Sequence, residues 1–548
     1  MSLSSLPSLA PSPMPPSLES PPPGPMAGPC SLLPQSNFIG LNIETMHLFL
    51  SDPDAFTCTL RIFHPKLVQR SYGKEKRFFN PPTLIYIHGN GWHRNDARVR
   101  EILSRYHVSM QSPNYIPNSP TLPNLPVRWQ ASVGIGDGTS QMQLPVDARN
   151  FVVARSLFIS NADKRKQFRI TVDFTSFNGP STLYPVQPLG TFNSSEIRVV
   201  SKPPKKQSTR SAESAMVCLK SGMIVAIYNR IRAQSVSTRY LYTQGTAFVG
   251  SNDVWSAYYI FAVDKVQNSP LSNSFVMDEG FIHYGDIVRL VDALTGVSSP
   301  NMIIRRIEKD EIVLVNSADP VAQLQKVAFQ LCDSVNVYWS VSMAQVVQKE
   351  ATIMSEIAHK VEDSFSWTLT QADVKDYKFF EGNGPSSTPV TPIPIVENLT
   401  LDGTSEENAV VEVMGTDLGK RLTVWFGLVA SETIEANRSF IQCRVPPVGY
   451  VNAHHPINAD CEMYGTSICV PLTLVRDDGV IYPTKAQFLY SCNTAGPLGN
   501  VVTTDLAAQR RSEFSKHMLE LNRTRFRVQD QVRSEVSNVL RKRAYEGM

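Results

Sequence analysis

Between residues 36 and 492 the chain is a succession of short β-branched and aromatic runs, each bounded by turn residues. TLIYI (83–87), FVVARSLFIS (151–160), IRVVS (197–201), MIVAIY (223–228) and AYYIFAV (257–263) are examples. Such runs suit a pleated, half-buried surface, and their turns leave no room for long helices. Only 43–50 and 98–105 read as short helix candidates. A body of several β-sandwiches or barrels is predicted. The 548 residues, 42% apolar, can fill several cores, and three to four domains follow at about 150 residues each.

Two stretches add detail. LKSGMIVAI (219–227) aligns with IHYGDIVRL (282–290), setting Gly222 against Gly285 and Val225 against Val288. LCDSVNVYW (331–339) supplies a third copy, with Ser334 at the glycine position. Three such units predict a β-trefoil; chance sharing of one strand pattern is the alternative. After PVTPIPIVENL (389–399), a series of short alternating strands runs to residue 491 with an Asp478-Gly479 turn, the pattern of an immunoglobulin-like sandwich. The first 34 residues hold 11 of the 39 prolines and no Lys or Arg; they read as a disordered tail without the pattern of a secretory signal. The proline-rich insert 108–128 reads as a surface loop. Phe514, Met518, Leu521, Val528, Val532, Val536 and Val539 form one stripe of a basic C-terminal helix. The division is therefore 1–35, 36–206, 207–385, 386–492 and 493–548.

Charge separates these segments. The formal net charge of +3 hides −1 over 1–35, +10 over 36–206, −10 over 207–504 and +4 over 505–548. A basic first domain beside an acidic remainder predicts a polyanion partner for the former. Its cations cluster in QRSYGKEKRFF (69–79), SNADKRKQF (160–168) and SKPPKKQSTR (201–210), and a fourth group is YNRIRAQSVSTRYLY (228–242). Arginine can offer a two-pronged donor to guanine, and lysine neutralises phosphate. A charge run is also the ordinary dress of a solvated face, so three on one domain carry the argument. Enzyme signals are weak: VGIGDG (133–138) lacks the dinucleotide spacing, and there is no P-loop, GxSxG or HExxH. His454, His455, Cys461 and Cys469 fit no usual zinc spacing. The eight scattered cysteines include no CxxC pair and read as reduced, buried thiols in an intracellular protein. No apolar run reaches 18 residues, so no membrane span is expected.

As a set, QRSYGKEKRFF, ISNADKRK, VSKPPKKQS, YNRIRAQSVSTRYL, GFIHYGDIVRLV, DPVAQLQKVAF, PVTPIPIVENL and VPLTLVRDDGVIY resemble the CSL family, the Suppressor-of-Hairless or recombination-signal-binding-protein-J transcription factors. The resemblance runs in order from residue 60 to residue 490. It implies a mainly β protein: a Rel-homology-like N-terminal domain, a β-trefoil and a C-terminal Rel-homology immunoglobulin-like (IPT) sandwich. It implies a nuclear factor that binds double-stranded GTGGGAA-type sites as a monomer and recruits co-activators or co-repressors of RNA polymerase II transcription. No catalysis, cofactor, metal or membrane association is implied.

By the same resemblance Arg77 contacts guanine in the major groove. Arg70, Tyr72, Lys74, Glu75, Lys76, Ser160, Lys164, Arg165 and Lys166 position or buttress it, mainly through phosphates. Lys202, Lys205 and Lys206 would meet the backbone, and Arg230, Arg232, Gln234 and Ser235 would enter the minor groove. Phe275, Met277, Ser298 and Gln348 match an apolar groove for a Notch-type or competing co-repressor peptide. The chain departs from the family pattern at Ala233, usually serine, at the shortened lysine run, and at Met277 and Ser298, usually valine and alanine. A scaffold that kept the fold and binds only proteins is the alternative.

Overall fold

The computed structural model describes residues 40–94, 96–97, 128–136, 142–177, 187–201, 215–232, 236–263, 277–278, 280–386, 388–403, 409–454, 463–464, 467–491 and 499–503. The N-terminal tail, the insert 108–127, the 98–105 helix candidate and the C-terminal stripe lie outside them.

The first unit opens with α1 (Ile43–Ser51), which Asn42 starts by accepting the Glu44 N–H at 3.0 Å, and α2 (Pro53–Phe56), capped by Asp52. Then come β1 (Cys58–Pro65), β2 (Leu67–Gln69), β3 (Thr83–His88), β4 (Arg128–Ile135), β5 (Met142–Pro145), β6 (Phe151–Ala154), β7 (Gln167–Phe168), β8 (Ile170–Phe177), β9 (Gln187–Asn193) and β10 (Ile197–Val200). β1, β3 and β6 pair antiparallel as one layer, and β5-β4-β8-β9 form a second. Ile62, Ile85, Val172, Phe174 and Phe192 fill the space between. A small sheet, β2-β10-β7, closes one end with β2 and β10 parallel. The run 151–160 is strand only to Ala154; beyond it the chain turns.

The second unit is a closed barrel. Its strands are β11 (Met223–Arg232), β12 (Val236–Gln244), β13 (Ala247–Ser251), β14 (Tyr258–Val263), β15 (Met277–Asp278), β16 (Ile287–Asp292), β17 (Met302–Glu308), β18 (Glu311–Val313), β19 (Lys326–Leu331), β20 (Val337–Ser342), β21 (Gln345–Glu350), β22 (Ile353–Ser355), β23 (Ala358–Lys360) and β24 (Trp367–Glu381). The ring runs β11-β14-β16-β17-β19-β24 and returns to β11, every pairing antiparallel. Leu219, Ile282 and Val321 meet at its axis in a cycle of backbone bonds: Leu219 N–H donates to the Val321 carbonyl (2.8 Å), Val321 to Ile282 (2.7 Å) and Ile282 to Leu219 (3.0 Å). This is a β-trefoil, and it corrects one expectation. The third copy of the repeat is VAQLQKVAF (321–329), not LCDSVNVYW, because Val321, Val327 and Phe329 occupy the places of Leu219, Val225 and Ile227. Gly222 (φ +82°) and Gly285 (φ +100°) turn left-handed at matching points, and Leu324 (φ +62°) does the same without being glycine.

The third unit holds β25 (Ile395–Asp402), β26 (Val410–Thr416), β27 (Leu422–Phe426), β28 (Val429–Ala430), β29 (Thr433–Ala436), β30 (Phe440–Arg444), α3 (Val448–His454), β31 (Met463–Tyr464), β32 (Ser467–Arg476), β33 (Val480–Ser491) and β34 (Gly499–Thr503). One layer is β25-β26-β30-β29; the other contains β28-β27-β32-β33-β34. This is an immunoglobulin-like sandwich, and Gly479 (φ +91°) makes the β32–β33 turn.

β24 joins all three units. Its first residues close the trefoil (Leu369 opposite Ile227), its middle pairs with β1 (Lys375 opposite Ile62), and its end pairs with β33 (Phe380 opposite Ile481). Among the described cysteines, none of which is in a disulfide, Cys332 is exposed rather than buried.

Candidate nucleic-acid interface

β2 delivers the chain into the loop 70–80. Tyr72 and Glu75 exchange two backbone bonds across Gly73-Lys74, with Gly73 at φ +59°, so a tight hairpin carries the first basic cluster. Its base is fixed: Ser71 N–H donates to the Ile159 carbonyl, Phe79 N–H to that of Leu157, and the Ser71 hydroxyl accepts the Arg77 N–H at 3.0 Å. Phe79 is buried and stacks on Phe168 with ring centroids 5.5 Å apart. Arg77 is thus held between anchored neighbours, its guanidinium 3.4 Å from Glu75 Oε2. Tyr72, Lys74, Glu75 and Lys76 are exposed, and Lys76 lies 5.2 Å over the Phe158 ring.

The second cluster is built against the first. Arg70 donates to the Arg165 carbonyl at 2.6 Å, which makes it a prop. Arg165 in turn clasps Asp163 at 2.8 Å. Burial pushes the Asp163 carboxyl up, but the Arg165 N–H and guanidinium outweigh it and hold the group below the usual carboxylate range. Ser160, Lys164 and Lys166 are exposed. Lys166 also offers its carbonyl to Val199, and Gln69 reaches Ser201 O at 3.3 Å, so the chain leading to the third cluster starts here. Lys202, Lys205 and Lys206 lie outside the described residues. Within the two segments 70–77 and 160–166, the cations Arg70, Lys74, Lys76, Arg77, Lys164, Arg165 and Lys166 are interspersed with two acids, Glu75 and Asp163.

The fourth cluster is the β11–β12 hairpin, with Arg230 opposite Thr238 and Arg232 opposite Val236. Arg230 is exposed; β11 carries Arg232 at its end, and Gln234 and Ser235 lie outside the described residues. Arg239 donates to the Met343 carbonyl at 3.0 Å and so braces the hairpin on the β20–β21 turn. One contact was not anticipated. The Tyr240 hydroxyl, on the hairpin, donates to Asn80 Oδ1 at 2.5 Å, and Asn80 ends the loop that carries Arg77. Around it Phe63, Leu84, Ala226, Tyr228, Tyr240, Trp255 and Ala372 form a core shared by the first two units. Trp255 donates to Pro82 O at 2.8 Å, and Arg155 meets Asp253 at 2.6 Å. Asn80 precedes Pro81, a pair that favours a turn, but nothing local points to Tyr240, 160 residues on.

Of the residues matched to a peptide groove, Met277 is in β15 beside β14, Ser298 is half-buried and bridges Val291, and Gln348 is exposed on β21. Phe275 lies outside the described residues. Among the described residues no group of three metal-ligating side chains occurs, and Cys469 donates to Gln487 at 3.3 Å. No described helix is long and apolar enough to cross a membrane.

Two stacked β units that share a core and carry a cationic loop and hairpin define the architecture of a duplex-binding β protein. Family models agree with it in order: "LAG1, DNA binding" over 60–213, "Beta-trefoil DNA-binding domain" over 244–367 and "TIG domain" over 393–490. The human "Recombining binding protein suppressor of hairless-like protein" is 34% identical over 444 residues, 79% of each chain. Its mouse counterpart is 34% identical over 442 residues, again 79% of each. "Transcription factor cbf11" of Schizosaccharomyces pombe is 26% identical over 428 residues, 71% of this chain and 64% of that one. The chain belongs to the CSL family of Suppressor-of-Hairless-type proteins.

Proposed function

We propose that this protein is a nuclear, sequence-specific transcription factor that binds double-stranded DNA as a monomer. The 70–80 loop and the 160–166 cluster read the G-rich end of a GTGGGAA-type site in the major groove, with Arg77 on guanine. The β11–β12 hairpin enters the adjacent minor groove through Arg230, Arg232, Gln234 and Ser235, while Lys202, Lys205 and Lys206 meet the backbone. Co-activators or co-repressors bind the acidic trefoil-plus-sandwich region, with Phe275, Met277, Ser298 and Gln348 as the matching groove, which Met277 and Ser298 alter from the family's Notch-peptide pattern. The protein carries out no catalysis. The domain boundaries 36–206, 207–385 and 386–492 go with this reading.

The observation that supports it best is the Tyr240–Asn80 bond, which locks the minor-groove candidate to the major-groove candidate at a fixed separation. Two readers set by one rigid joint suit a single short site in one register. A gel shift with a GTGGGAA duplex and its single-base variants, at two salt concentrations, tests this. A shift lost with a changed guanine is expected; no shift even at low salt would favour a scaffold that binds only proteins.

A further inference from the structure

The segment between β24 and β25 is clamped to the β32–β33 turn by one carboxylate. Asp478 Oδ2 accepts from Ser386 Oγ (2.7 Å), Thr388 Oγ1 (3.1 Å) and Arg476 Nη2 (2.7 Å), and Oδ1 accepts from Arg476 Nε (2.8 Å). Arg476, only 7% exposed, also donates to Pro389 O at 2.6 Å and to Thr388 Oγ1 at 3.2 Å. Burial pushes the Asp478 carboxyl up, but Arg476 and the two hydroxyls bring it down to about 2. It is therefore ionised at any physiological pH. Arg421, 3.9 Å from Asp478, is held by Asp477 at 2.6 Å.

Thr388 is nevertheless exposed, as is Pro389 after it. Of the described residues, Ser299 and Thr391 also precede proline. Ser299 is buried with its hydroxyl bonded to Pro300 O and Leu290 N–H, and Thr391 is half-buried and accepts the Thr191 N–H. Thr388 alone among these combines an exposed acceptor–proline pair with a charged partner for the hydroxyl.

We propose that Thr388 is a phosphorylation site for a proline-directed protein kinase and that the phosphate releases the linker from the turn. Thr388 Oγ1 attacks the γ-phosphorus of ATP; the new O–P bond forms as the bond to the ADP oxygen breaks, and the hydroxyl proton passes to the kinase base. The modified oxygen no longer has a proton to donate to Asp478. It brings about −1.5 to −2 charge beside an ionised carboxylate, and both anions then compete for the same arginine. Arg421 is already engaged.

The test treats the full chain with ATP and a proline-directed kinase, beside a synthetic 382–394 peptide, and maps phosphate by mass spectrometry. Hydrogen exchange is followed over 382–394 and 476–480. Phosphate on Thr388 of the folded chain, with exchange faster by on the order of tenfold, is expected. Thr388→Val, which removes the hydroxyl without adding charge, should give a smaller acceleration. A peptide the kinase rejects, a peptide modified while the folded chain is not, or modification with unchanged exchange would each overturn the proposal. So would a Thr388→Val response as large as the phosphate's.

Discussion

Arg77 and Lys164 sit in the same basic patch but differ in support, and this sets what each can do. The Arg77 backbone is tied to Ser71 and flanked by buried Phe79, with Glu75 steadying its guanidinium. A side chain fixed in this way can discriminate bases. Lys164 is exposed, its ammonium 3.3 Å from the Asn161 carbonyl, and suits phosphate. Arg77→Ala is expected to cost about 1–3 kcal/mol on the best duplex and to relax preference at one guanine. Lys164→Ala should weaken all duplexes alike and reduce the salt slope by about one. Titrations of a matched and a mismatched duplex over a salt series check both; equal losses on the two duplexes for Arg77→Ala would refute its assigned role. Tyr240→Phe removes only the bond to Asn80. It should cost about 1 kcal/mol of stability and widen the range of tolerated spacings between the two halves of the site, read by binding duplexes with one inserted base pair.

At the scale of elements, the trefoil shows what a sequence can and cannot reveal. Two copies of the repeat were legible because glycine marks both left-handed turns. The third lies one strand earlier than the glycine pattern suggests, because Leu324 takes the same conformation with a side chain. Physical position, not residue type, defines the copy. The two glycines are also unequal. A Cβ on Gly222 would meet only Phe261 at 3.9 Å, whereas one on Gly285 would lie 2.2 Å from Asn316 Oδ1, which accepts from Arg305 at 2.9 Å. Gly222→Ala should cost about 1 kcal/mol for the backbone alone. Gly285→Ala should cost about 2–3 kcal/mol, since it also displaces a partner of a half-buried arginine. Thermal melts rank them, and equal melting temperatures would remove the steric argument. The basic clusters are readable individually because charge is local in sequence. Their convergence is implied by the family resemblance alone, since Arg70–Arg165 and Tyr240–Asn80 depend on chain paths no periodicity encodes.

For the molecule as a whole, β24 is the common beam, and Arg61–Asp376 is its main polar fastening to β1, with two bonds of 2.6 and 2.7 Å. Burial raises the Asp376 carboxyl, but Arg61 prevails and leaves it below the ordinary value. A depressed folded pKa means the contribution is complete above the unfolded value of about 3.9 and is lost as pH falls through the folded one. Melting temperature should therefore drop below about pH 4, and Asp376→Asn should flatten that drop while lowering stability at neutral pH by about 2–3 kcal/mol. Parallel acid profiles for the two proteins would show that the pair is not responsible. The sequence announced three β units, but not that one strand serves them all: 367–381 reads as an ordinary strand with polar residues at its centre.

That shared strand also imposes a timetable. The two partners of the Arg61–Asp376 pair are 315 residues apart, and a ribosome adding about 5–20 residues per second needs roughly 15–60 s to travel between them. Throughout that interval the outer edge of β1 has emerged with no neighbour, the condition in which β edges recruit strands from other chains. The nascent chain needs shelter for that edge, and a truncated message ending before residue 367 would yield a product that can never cover it.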